Sequence, residues 1–246
     1  MPRYTLSELD VLPFIVIPAC LAAVFAWGIA AASRRLGDAC TATRRASIAL
    51  AAAIVWMSAT WIAASSGILR RWETTPPPFA LLVLAIVTLG CLIAFSRYGR
   101  LLATGLPLWT LVAVQGFRLP LELSMHLMYE RGIMPVQMSY SGRNFDILTG
   151  ASALIVAALA LAGRAPRWLV ATWNVVGLAL LVNVMAIAIL STPRVHYFGA
   201  DRLNEWVTYP PFVWLPAVMV LAALTGHLLV FRALKLDSAR RLPAGQ

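Results

Sequence analysis

Charge is what this chain has least of: 12% of its 246 residues are Asp, Glu, Lys or Arg, against 61% hydrophobic, and the mean hydropathy is +0.79. A soluble core of this size has no room for that much apolar surface, so a lipid environment is the simplest solution. Lysine is nearly missing, with Lys235 the only one, and arginine carries the basic charge. A formal net charge of +10 would point to nucleic acid in a soluble protein. Here the charges fall in short segments between apolar runs, so they read as topology signals and imply no nucleic-acid partner. The abundant arginine and alanine fit a GC-rich bacterial genome, and the expected localisation is the bacterial inner (cytoplasmic) membrane, multi-pass.

Cysteine is scarce as well. Cys20, Cys40 and Cys91 are odd in number and far apart, which excludes a disulfide framework and a metal-ligand spacing and leaves free, buried thiols as the expectation. A phosphate-binding glycine loop is absent, as is any soluble domain to carry one. The run from Val11 to about Ser33 exceeds the ~7–15 residues of a signal-peptide core, so it is a retained span. Of the histidines, His126 and His227 stand roughly 20 Å apart on a helical rise estimate, and His196 has no neighbouring Cys or His. No haem, metal or other cofactor is expected. Ser152 is followed by Ala153 where rhomboid proteases carry glycine, His227 is followed by Leu228 and Leu229 where they carry small residues, and the depths of the two side chains place them in opposite leaflets. Lys235 lies at the cytoplasmic end of the last apolar run, where the lysine of retinal proteins lies inside it. The Pro-Gln signature of sugar transporters built as three plus one plus three spans is missing.

What is present is a series of apolar runs. About 20 such residues cross a bilayer, and seven windows qualify: 11–33, 46–69, 78–96, 105–129, 146–163, 167–191 and 211–234, the fifth being the shortest. The fold expected is all-α: one polytopic membrane domain over residues 1–246, a bundle of seven transmembrane helices. Twelve basic residues follow spans one, three, five and seven: Arg34, Arg35, Arg44, Arg45, Arg97, Arg100, Arg164, Arg167, Arg232, Lys235, Arg240 and Arg241. The opposite side has seven, Arg3, Arg70, Arg71, Arg131, Arg143, Arg194 and Arg202, together with most of the acids. The positive-inside rule then puts the N-terminus outside and the C-terminus in the cytoplasm. Trp72, Tyr129, Tyr140, Tyr197, Trp206 and Tyr209 fall on the outer side as interfacial anchors. Two longer connections, 130–145 and 192–210, are also outside; in the second, Asp201 is placed to cap a short interfacial helix carrying Leu203, Trp206 and Val207.

Span four carries the informative residues. Gln115, Arg118, Glu122, His126 and Tyr129 fall within an arc of roughly 80° at about 100° per residue. Ionisable residues at mid-membrane cost about 2.5–3.5 kcal/mol each even on insertion scales, so this face looks into the bundle or into water. Arg118 and Glu122, four apart, are expected to pair. Pro120 removes a backbone donor between them and Pro107 adds a second weak point, so a kinked or locally open helix is expected. Asn183 is placed at a similar depth, and Arg143, Asn144 and Asp146 at the outer mouth, where Asp146 begins span five. Together these residues outline a polar funnel open to the outside.

The function expected is binding or movement of a small polar or anionic solute, with Gln115, Arg118, Glu122, His126, Arg143, Asn144, Asp146 and Asn183 as its contacts. A sensor or assembly factor working through the outer loops is the alternative. An intramembrane lipid-modifying enzyme with Glu122 or His126 as general base is the third reading. The partners expected are the lipid bilayer and the solute.

Overall fold

The structure, a computed structural model, describes residues 7–241; Arg3 and the side chains of Arg240 and Arg241 lie outside what it describes. Every regular element among the described residues is helical. In chain order these are α1 (Glu8–Val11), α2 (Pro13–Arg35), α3 (Ala39–Ser65), α4 (Pro78–Phe95), α5 (Arg97–Gly105), α6 (Leu108–Ala113), α7 (Arg118–Glu130), α8 (Ile147–Leu161), α9 (Arg167–Leu190) and α10 (Leu221–Arg241). Five segments are long and apolar enough to cross a membrane: Glu8–Arg35, Ala39–Ser65, Pro78–Phe95, Arg167–Leu190 and Leu215–Ser238.

The boundaries follow local chemistry. Ser7 and Asp10 form a reciprocal capping box that starts the first span, and Pro13 and Pro78 occupy opening positions, where a missing N–H costs nothing. The Ser96 side chain accepts from the N–H groups of Tyr98 and Gly99 and starts α5. Pro107 is the N-cap of α6, so it separates two helices and is not a weak point within one. The fourth window is broken further on, by the 3-10 turn Val114–Phe117, after which Pro120 sits in the first turn of α7. A proline is tolerated there because those N–H groups have no intrahelical acceptor anyway. The last span opens with the π-helical stretch Leu215–Val220.

The last span is central. In its most apolar window 56% of residues are buried, against 11% for α3, which packs mainly on α2 at the edge. Two apolar clusters fill the interior. One holds Phe14, Leu121, Met125, Met219, Trp206 and Phe212; the other holds Ile29, Leu102, Val112, Ala153, Trp173 and Leu229. Along the chain Arg118 falls between Val112 and Leu121, and His227 between Met219 and Leu229, so polar side chains are sandwiched between the two clusters.

Three expectations need correction. Residues 201–205 form no helix; only the 3-10 turn Trp206–Thr208 appears, and Tyr209, preceding Pro210, is extended as a residue before proline prefers. Trp206 and Val207 are buried in the cluster around Phe14 and Met125, so Trp206 is no interfacial anchor. Cys20 and Cys40 are exposed and Cys91 half-buried, because they lie on the outward sides of their helices.

Candidate functional site

The polar residues between the two clusters form one connected centre. Arg118, 1% exposed, donates from Nε to Asp146 Oδ2 at 2.9 Å and from Nη1 to His227 Nε2 at 3.0 Å, while its Nη2 is buried without a partner. Since a guanidinium only donates, Nε2 of His227 must accept, which leaves the ring proton on Nδ1. Nδ1 lies 2.8 Å from Asn174 Oδ1, and Asn174 Nδ2 donates back to the His227 carbonyl at 3.0 Å, so the tautomer is fixed from both sides. Glu122 Oε2 accepts from Asn144 Nδ2 at 2.8 Å; that amide also donates to the Met138 carbonyl, and its Oδ1 accepts the Asp146 N–H. Gln115 Nε2 donates to the Ala223 carbonyl at 3.0 Å, and its Oε1 is buried without a partner.

Close backbone approach makes this possible. A Cβ on Gly150 would stand 2.4 Å from the Leu119 backbone nitrogen, so only glycine lets α8 lie this close to the start of α7. Asp146, one turn before Gly150, is thereby brought onto Arg118. On α9, a Cβ on Gly177 would meet His227 Cε1 at 2.6 Å and Thr149 Cγ2 at 2.8 Å, so this glycine makes the space the imidazole occupies. Asp146 stands at the N-cap position of α8 but makes no capping hydrogen bond; its carboxylate serves Arg118 instead.

Of the residues singled out in the sequence, Gln115, Arg118, Glu122, Asn144 and Asp146 come together. Arg118 and Glu122 do not form the expected ion pair: Asp146 takes the guanidinium and Asn144 holds Glu122, because the break before Arg118 and the close approach at Gly150 put α8 within its reach. The expected open funnel is closed. Asn144 and Asp146 are 0% and 4% exposed, and the connections before α8 and after α9 tie together where Gln137 Nε2 donates to Ser191 Oγ and to the Arg202 carbonyl. His126 stands apart, with Nδ1 2.7 Å from Ser139 Oγ and its ring stacked on Tyr140. Arg143 is exposed over the Phe198 ring, and Asn183 donates to the Arg143 carbonyl, so neither reaches Arg118.

His227 and Asn174 are the members that sequence reasoning missed. Counting residues from the ends of the spans puts His227 about 9 Å nearer the cytoplasm than Arg118, a gap the long arginine side chain closes. The signal available was a pair of polar residues, one in each of two neighbouring apolar runs. Ser152 and His227 share a neighbour: Trp173 donates to Ser152 Oγ at 3.0 Å while its ring lies 5.8 Å from that of His227. Ser152 itself donates to the Leu148 carbonyl one turn back, an ordinary helix contact.

Chemically, the centre sets one guanidinium and one neutral imidazole against two carboxyls in a buried layer. Such an arrangement can hold an anion at the unpartnered Nη2 and exchange protons at the carboxyls. Among the described residues no group of three His, Cys, Asp or Glu side chains converges as metal ligands would. Compared with protein-family models, with curated proteins and with solved structures, the chain matches none.

Proposed function

We propose that the chain is a seven-span inner-membrane carrier or binding protein for a small polar or anionic solute, with Arg118 as the solute's partner and Glu122 and Asp146 as the groups that balance its charge. The observation that carries this reading is the buried Nη2 of Arg118, a charged donor without a partner beside two carboxyls. Leaving such a donor unpaired costs several kcal/mol, and an anionic solute removes that cost. Two carboxyls already face the guanidinium, so an anion entering alone would leave excess negative charge in a dry layer. Uptake of the solute together with a proton on Glu122 or Asp146 resolves this.

Seven crossings, with the N-terminus outside, fit how the ends of the helices meet. At one end Arg45 pairs with Asp38, Arg167 with Asp237, and Arg232 donates to the carbonyls of Ala94 and Ser96. At the other, Arg131 meets Asp10, Arg70 lies over Tyr209, and Gln137 joins the connections around Ser191 and Arg202. These two groups are the two basic sets of the topology reading. Among them the 108–130 segment and α8 behave as a fourth and a fifth crossing. Closure of the outer connections over the centre then corresponds to an occluded form.

The test is thermal stability of the detergent-purified protein against a panel of ions, small metabolites and lipids, for wild type and the Arg118→Ala/Glu122→Ala double variant. A compound that stabilises only the wild type is expected, followed by flux of that compound in proteoliposomes that depends on a pH gradient. If no compound distinguishes the two proteins, the centre is structural and the proposal fails.

A further inference from the structure

A sizeable cavity lies away from the polar centre. A cavity of about 320 Å³ opens between α2, α3, α4 and the last span, with Phe25, Ala53, Trp56, Leu89 and Leu221 among its almost wholly apolar walls. Its origin is the loose seating of α3. The indole N–H groups of Trp56 and Trp214 donate to the carbonyls of Ala217 and Met57 and tie one half of α3 to the π-helical stretch. The other half leans on α2, and the space behind it, between Ile48 and Ile93, is the cavity.

The end of the cavity at Ser96 and Tyr98 is basic. Arg97 lies over the Tyr98 ring at 5.1 Å, and Arg232 donates to the Ser96 carbonyl at 2.9 Å from a position close enough to Arg100 for the two charges to repel. None of these three arginines takes part in an ion pair among the described residues, although Arg45, Arg118, Arg131, Arg167 and Arg202 all do. Three cations outside any ion pair among the described residues, beside the Ser96 and Tyr98 end of an apolar slot, match an amphiphile with a negative head and a hydrocarbon tail.

We propose that this cavity is a binding site for an anionic phospholipid, with one acyl chain between α3 and α4 and the headgroup phosphate among Arg97, Arg100 and Arg232. The volume falls within the roughly 300–1,000 Å³ of sites that hold small organic ligands. Basic pockets between membrane helices on the cytoplasmic side are where anionic headgroups are recognised, and Arg97 and Arg100 belong to the set read as cytoplasmic. The site shares no charged residue with the Arg118 centre, so it stands or falls separately from the proposed transport.

The experiment is native mass spectrometry of the protein released from nanodiscs of phosphatidylcholine containing phosphatidylglycerol, with the same disc lacking phosphatidylglycerol as reference. Wild type should retain one phosphatidylglycerol in preference to phosphatidylcholine. Ala53→Trp, which fills the slot, should lose that preference. Arg97→Gln/Arg100→Gln, whose changes are at exposed positions and leave the cavity intact, should weaken retention by roughly fivefold for each arginine. Equal retention of the two lipids by wild type, or undiminished phosphatidylglycerol on either variant, would overturn the proposal, as would a non-lipid molecule released from the cavity. Should Ala53→Trp not fold, the arginine variant decides alone.

Discussion

Asp146 and Glu122 are both buried carboxyls beside Arg118, yet they differ in what their loss leaves behind. Asp146→Asn strands a guanidinium that has no other carboxylate within ion-pair distance, and breaking a buried pair in this way costs about 3–5 kcal/mol. Glu122→Gln keeps an oxygen for the Asn144 amide, so its cost should stay near 1 kcal/mol, the scale of one hydrogen bond. Thermal melts in detergent should therefore place Asp146→Asn well below Glu122→Gln, and Arg118→Met/Asp146→Leu should recover part of the loss because the guanidinium is removed together with its partner. The same residues show what was legible. An arginine and a glutamate four apart in an apolar run announce a buried polar centre, since the membrane tolerates nothing else. The choice of partner was not legible: helical spacing suggests the neighbour on the same helix, and the actual partner reaches Arg118 across a contact that depends on Gly150.

At the level of elements, that contact between α7 and α8 leaves no room for a side chain. Gly150 faces backbone atoms, which cannot rotate away, whereas the Gly28 position faces only the ends of the Leu102 and Leu106 side chains, at 3.3 and 3.5 Å. Gly150→Ala should destabilise the protein by about 1–3 kcal/mol through overpacking and move Asp146 off Arg118; Gly28→Ala should be nearly silent in the same melt. Equal effects would mean that α8 is free to shift and that its position does not set the site. Five spans were readable directly, because a long apolar run dictates its own structure when lipid is the solvent. The fourth and fifth windows were harder to read. The fourth spends its middle on a 3-10 turn that no apolar count detects, and α8 keeps only 15 residues because the preceding stretch folds inward to deliver Asn144 and Asp146. The short helix expected at 201–207 failed because periodicity there reflected burial of Trp206 and Val207 in the cluster around Phe14 and Met125.

For the whole molecule, number of spans and orientation can be separated by one labelling series. An impermeant maleimide applied to intact cells reads which positions face out. Cys40 is native and exposed, and with Cys20 and Cys91 replaced by alanine it reports the connection between α2 and α3. In a background without cysteine, Tyr197→Cys, at a side chain 68% exposed, reports the connection after α9. With the N-terminus outside, Cys40 stays unlabelled and the cysteine at 197 reacts; the reverse pattern inverts the topology and moves the arginines of the lipid cavity to the outer face. Both positions keep their sides whether the chain crosses five or seven times, so the count needs a third. Ser141→Cys lies between the 108–130 segment and α8, at an exposed position. If those two segments cross, it faces outward and reacts; if they do not, it stays on the side of Cys40 and is silent. The buried charges make the first outcome the expected one. Arg118, Glu122 and Asp146 are held between two apolar clusters fed by the spanning helices, and a segment that supplies the polar layer from within that sandwich is expected to run alongside them.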